Sequence, residues 1–347
     1  MQTNTTRDKT IDFIKGILIL FVILGHTTLG LTDMYSFDDT MNGIANVIYS
    51  FHMPCFIAVS GFLYSEYVGT ASQGIFSRIC HKAFKILLPY VMISVIYWII
   101  KFALSNLIRE PVAVSSLISI PWKPIEFLWY LYALFLIYCV AYMADYVFAR
   151  LLPHFNYKME LLFVLFLIIA FTCYGSFRYE GFNYIAGFQM YFYLGCLIKK
   201  WLDKLDNRYA VLSLAVMSVL VEASGIVLQD DMSCNPLFSC LFERFTACIV
   251  TVFIFAVSYF LSGYCDFPKW LQTIGRDSMP FYAMNVIFVG GIRIILNRAG
   301  ITNMALQCIC GFAGSTAICW ILYECIIKKI RFINFIFYPG KQLHIRK

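Results

Sequence analysis

Residues 11–26 read Ile-Asp-Phe-Ile-Lys-Gly-Ile-Leu-Ile-Leu-Phe-Val-Ile-Leu-Gly-His, and the apolar run they open continues to Leu31. Eight apolar residues and a glycine separate Gly16 from His26. An apolar run this long reads as a membrane-crossing helix, not a strand. Basic residues precede it but no small-residue cleavage site follows, so a retained helix is expected rather than a signal peptide. The rest of the chain agrees. Its 347 residues are 61% hydrophobic and only 14% charged, with a mean hydropathy of +0.74. Soluble globular chains carry about 25% charged and about 45–50% apolar residues, and single water-soluble cores stop growing near ~250–300 residues. The composition therefore excludes a secreted disulfide scaffold, a disordered chain and a nucleic-acid binder. It points to an all-α polytopic membrane protein.

Stretches long enough to cross a ~30 Å hydrocarbon core recur about ten times: 16–32, 44–64, 86–105, 126–148, 160–177, 183–199, 209–228, 237–261, 279–296 and 304–327. They form a single membrane domain over 1–347, with a core of 11–327 and a basic tail of 328–347. With the N-terminus inside, 20 Lys and Arg fall in inner segments and 4 in outer loops (Arg109, Lys123, Arg178 and Arg298). That bias predicts both termini on the cytoplasmic side. The location expected is the bacterial cytoplasmic (inner) membrane, crossed many times. Nearly all of the 13 cysteines lie in apolar runs. There they act as small apolar side chains, so no metal or redox role is expected.

Chemistry concentrates in a few places. Lys15 and His26 are eleven residues apart, about 1100° of helical rotation and a ~16 Å rise, which puts both on one stripe. His26 is either a polar side chain bonded between helices or a functional group, since an intramembrane ionisable residue is functional by default. The second span contains Ser50-Phe51-His52-Met53-Pro54 and, further on, Ser60. Running the other way, it brings His52 close to the depth of His26. Pro54 removes a backbone donor and is expected to break the helix locally.

Arg78, His81, Lys82 and Lys85 follow at i, i+3, i+4 and i+7 and would share a basic face. Such a face either anchors to anionic lipid headgroups or binds a phosphate-rich cofactor, with Lys15 as a further point charge. Glu126, Trp129 and Tyr130 open the fourth span, where Trp and Tyr are ordinary interface residues. Glu126 would pair with an imidazole or sit in headgroup water. Glu222, Glu243-Arg244, Arg293 and Glu324 read as structural ion pairs.

The stretches IDFIKGILILFVILGH, SFHMPCFIAVSGFLY, the basic turn ending in LLPY, FLWYLYALF and IGRDSMPFYAMN together resemble the acyltransferase-3 family of bacterial integral membrane O-acyltransferases. The resemblance covers residue 11 to about 290. It implies about ten helices, acetyl-CoA (or another acyl-CoA) taken from the cytoplasm, and an acetyl group passed to a hydroxyl of a surface polysaccharide or its lipid-linked precursor. In that family a basic residue and a histidine in the first helix, with ten residues between them, are functional; they fall on Lys15 and His26. Many relatives carry arginine at the position of Lys15, and histidine where this chain has Asn285.

The mechanism implied has neutral His26 as general base, or as carrier of a covalent acetyl group. His52 would orient the acceptor or hydrogen-bond the carbonyl oxygen. Lys15, Arg78, His81, Lys82 and Lys85 would hold the coenzyme phosphates, and Glu126, Trp129, Tyr130 and Ser60 would lie on the substrate side. Partners expected are membrane lipids, acyl-CoA and a glycan or lipid-linked sugar, with no nucleic acid and no metal; a homo-oligomer is compatible with the sequence. The rival class is a proton-coupled transporter or exporter, which intramembrane histidines and a broken helix also suit. Acceptor choice is expected to rest with outer loops 33–43, 106–124 and 229–236.

Overall fold

The computed structural model of the chain describes residues 8–32, 39–67, 74–103, 105, 114–173, 175–205, 207–227 and 235–340. The tips of the three outer loops named above (33–38, 106–113 and 229–234) and the tail from 341 lie outside these residues. The described residues form helices joined by short turns, with no strand among them. The helices are α1 (Lys9–Thr32), α2 (Asp39–Tyr67), α3 (Ile75–Ala103), α4 (Val114–Ser119), α5 (Trp129–Leu151), α6 (Lys158–Thr172), α7 (Glu180–Leu205), α8 (Arg208–Val227), α9 (Pro236–Ser262), α10 (Lys269–Arg276), α11 (Ser278–Arg298), α12 (Met304–Leu322) and α13 (Arg331–Phe337). A 3-10 turn over Glu126–Leu128 leads into α5, and a π-helical turn over Tyr323–Ile327 ends α12.

Among the described residues, eight helices are long and apolar enough to cross a membrane. The two remaining expected spans also fold as helices. α6 has only 15 residues, about 22 Å against a ~30 Å core. In α7 the apolar stretch is interrupted by Asn183 and Gln189. The chain is an all-α, multi-pass membrane protein.

Two compact units share the chain: residues 1–65 with 194–323, and residues 66–193 with 324–347. In the first unit, Asp8 caps α1 by accepting from the backbone N–H of Thr10 (2.8 Å) and Ile11 (3.3 Å), and its other oxygen accepts from the Tyr259 hydroxyl of α9. Asn235 and Asn303 cap α9 and α12 in the same way. Asp8 satisfies two of the donors orphaned at a helix start, and each asparagine one. α1 and α10 meet backbone to backbone. A Cβ at Gly16 would collide with the carbonyl of Leu271, and one at Gly275 with that of Asp12. Phe13 stacks on Phe267 beside this contact, ring centroids 3.7 Å apart. The late IGRD stretch thus lands on the opening IDFIKG stretch.

α1 and α2 run antiparallel, since Phe21 meets Phe51 (5.3 Å) while Gly25 lies against Ile48 and Tyr49. α2 stays helical through Pro54, which corrects the expected local break. The proline forfeits one i→i−4 bond, and residues 51–59 around it are all buried, so packing on both sides holds the helical path.

In the second unit α3 and α5 are antiparallel: Tyr97 meets Phe127 at 5.2 Å, Tyr90 meets Tyr132 at 5.8 Å, and Lys82 reaches Tyr138. α5 and the first part of α7 run parallel, with Trp129 against Tyr184 and Tyr138 against Phe192. α13 docks on α3 through Phe335 and Phe84.

Candidate functional site

The first unit holds both intramembrane histidines. α1 is unbroken from Lys9 to Thr32, so the Lys15–His26 stripe is present as a helix face, and both side chains are half-buried. His26 Nδ1 lies 3.2 Å from the Tyr49 hydroxyl of α2. His52, one turn along α2, is buried, and its Nδ1 sits 2.6 Å from the Ile48 carbonyl. A carbonyl only accepts, so Nδ1 of His52 carries the proton and, in the neutral ring, Nε2 keeps a lone pair. The Tyr49 ring stands edge-on to both imidazoles, with centroids 6.2 Å from His26 and 4.8 Å from His52. The structure brings His26 and His52 together around this tyrosine.

Next to Tyr49, the Ser50 hydroxyl reaches both the Val47 carbonyl (2.8 Å) and Glu222 Oε1 of α8 (2.9 Å). Glu222 is therefore bonded to a serine, not to a cation, among the described residues. Glu243 is likewise held by Ser239 (3.0 Å). Arg244 donates to the Cys240 carbonyl (3.2 Å) and Arg293 to that of Gly30 (2.5 Å), while Glu324 does form an ion pair, with Lys328 (3.0 Å). Ser60 donates back to the Phe56 carbonyl (3.2 Å).

The late motif builds a second polar cluster in the same unit. Asp277 is buried and accepts from Arg276 Nε (2.9 Å) and the Tyr323 hydroxyl (2.7 Å). The Asp277 carboxylate holds the Arg276 guanidinium above the ordinary arginine range. Asn285 is fully buried; its amide donates to the carbonyls of Phe281 (3.0 Å) and Tyr282 (2.7 Å).

The second unit carries the basic turn. Residues 75–103 are one helix, so the i, i+3, i+4, i+7 spacing is realised, but the face is divided between neighbours. Arg78 lies 4.2 Å over the Tyr142 ring and 3.4 Å from Asp145, which also pairs with Lys158. Lys82 sits 3.6 Å over the Tyr138 ring and has no carboxylate partner among the described residues. Lys85 is exposed, its stem beside Gly340, and His81 is exposed. Tyr138, Tyr142 and Asp145, at i, i+4 and i+7 on α5, form a rail that orders two of the four basic groups.

At the far end of α3, Glu126 pairs with Lys101 and accepts from the Tyr97 hydroxyl (2.7 Å). Among the described residues it meets no imidazole, which corrects that half of the expectation: the two α3 donors flank the turn that carries it. Its φ of 43° is unusual for a residue other than glycine. Trp129 stacks between Tyr184 and Phe188, each 5.2 Å away, and Tyr130 is buried. Tyr49, Tyr138 and Tyr142 were not singled out in the sequence. Each sits on the same helix face as a noted charge or its partner, three residues before His52 in the first case, and that spacing was the available signal.

An all-helical, multi-pass membrane protein with paired histidines on its first two helices defines a small set of classes. Comparison of the sequence decides among them: the acyltransferase domain of the acyltransferase-3 family matches residues 8–324, and the chain belongs to that family. It is 31% identical over 157 residues to nodulation protein NolL of Mesorhizobium japonicum, covering 44% of this chain and 38% of that protein. NolL of Sinorhizobium fredii is 39% identical over 84 residues, 24% of this chain and 22% of the relative. The matched stretches thus span well under half of these relatives. No solved structure matches.

Proposed function

We propose that the protein is an O-acetyltransferase of the bacterial inner membrane, moving an acyl group from cytoplasmic acetyl-CoA to a hydroxyl of a surface polysaccharide or its lipid-linked precursor. The observation that carries this reading is the placing of His26 against Tyr49 beside His52, in a chain of an acyltransferase family. The donor supplies an activated thioester. His26 accepts the proton of the acceptor hydroxyl as its oxygen bonds to the acyl carbonyl carbon. When the C–S bond breaks, the imidazolium returns that proton to the leaving thiolate. His52, whose Nε2 is an acceptor in the neutral ring, suits the hydroxyl of the incoming sugar better than the carbonyl oxygen, which needs a donor.

Lys82 and the exposed Lys85 and His81 are suited to the donor's phosphates. Arg78, already compensated by Asp145, contributes less. Lys15, on the His26 stripe, adds a further cation. Purified protein given labelled acetyl-CoA and extracted surface glycan tests the proposal. Label on the glycan supports it. Movement of intact glycan across vesicles without loss of the acetyl group would favour a transporter instead.

A further inference from the structure

We propose that Tyr49 is the positioning residue of His26, fixing which ring nitrogen carries the proton. The inference rests on the reading of His26 as the base. Three observations converge. The Tyr49 hydroxyl is a hydrogen-bond partner of His26 Nδ1 at 3.2 Å. The tyrosine ring is wedged edge-on between the two imidazoles, and its far neighbour, His52, is itself tied to the Ile48 carbonyl. Gly25, beside His26, leaves room for this ring: a Cβ there would stand 3.2 Å from Tyr49 Cε2 and 3.1 Å from Ile48 Cγ2.

A neutral imidazole has one N–H, so the bond at Nδ1 decides what Nε2 can do. With Nδ1–H donating to the Tyr49 oxygen, Nε2 retains its lone pair and can take a proton from the acceptor hydroxyl. The tyrosine hydroxyl is neutral, so this bond orients the ring without pairing it to a charge.

The test uses the purified full chain with 15N-labelled histidine, five rings in all, the His26 signals being assigned by their loss in His26→Gln. In the unaltered protein His26 is expected as a single tautomer protonated at Nδ1. Tyr49→Phe is expected to give a mixture of tautomers and to lower kcat about tenfold, the loss of one hydrogen bond's worth of positioning. The KM for acetyl-CoA and the thermal unfolding profile should stay unchanged. Gly25→Ala, which pushes on the same ring and keeps the hydroxyl, should lower kcat as well. A proton found on Nε2 of His26 in the unaltered protein overturns the proposal. So does a Tyr49→Phe variant with unchanged tautomer and unchanged kcat. Full activity in His26→Gln would instead remove the base assignment, and the ring-nitrogen signals would still report whether Tyr49 sets the tautomer.

Discussion

Replacing Lys82 by glutamine should weaken acetyl-CoA binding far more than replacing Arg78, although both belong to one helical face. The Arg78 guanidinium shares Asp145 with Lys158 and lies over Tyr142, so its charge is partly offset within the protein and its side chain is held in place. Among the described residues Lys82 lies over the Tyr138 ring at 3.6 Å and meets no carboxylate, and a π face offsets about 0.5–2 kcal/mol, less than a carboxylate or phosphate would. A charge-assisted hydrogen bond to a phosphate is worth about 1.5–3 kcal/mol. Its loss in Lys82→Gln translates to roughly a 10- to 100-fold rise in KM. Arg78→Gln leaves Asp145 paired with Lys158 and should raise KM less than about threefold. The assay is release of free thiol from acetyl-CoA by detergent-purified protein, at two salt concentrations so that the charge contribution can be separated. Equal shifts in the two variants, or a larger one in Arg78→Gln, would refute the division of roles drawn from the α5 rail.

Other consequences follow from packing and pairing. Gly275→Ala drives a Cβ into the Asp12 carbonyl; overpacking at a backbone contact costs about 1–3 kcal/mol or more, to be read as a lowered midpoint in thermal unfolding. Tyr323→Phe removes a hydroxyl donor to buried Asp277 and should cost about 1–3 kcal/mol, whereas Tyr264→Phe, at an exposed position just past the end of α9, should leave the midpoint unmoved. Lys101→Met breaks the pair with Glu126, whose side chain is 39% exposed; partial exposure limits the cost to about 1 kcal/mol or less, so unfolding should barely change.

Helix identity was legible wherever apolar runs exceeded a membrane's thickness, as in residues 11–31, because length and hydropathy alone demand it there. The pairing of α1 with α10 was not. It depends on two glycines, Gly16 and Gly275, about 260 residues apart, and close backbone approach leaves no periodic trace. The helical path through Pro54 is hidden from the sequence for a related reason: local propensity argues for a break, while tertiary burial of residues 51–59 overrides it. At the candidate site, His26 and His52 stood out as ionisable groups in apolar runs and do come together. Tyr49 was hidden among 23 tyrosines, and aromatic rings at span ends are too common to carry a signal singly. The basic turn showed its spacing, but not that Tyr138, Tyr142 and Asp145 would claim part of it.

The most direct measurement compares acetyl transfer to glycan by the unaltered protein with that of His26→Gln and His26→Ala, at matched abundance and with donor hydrolysis followed in parallel. Both variants are expected to lose transfer by about 100-fold or more while keeping the acetyl-CoA KM of any residual reaction. Transfer at near the original rate in either one would contradict the role of that imidazole as proton acceptor.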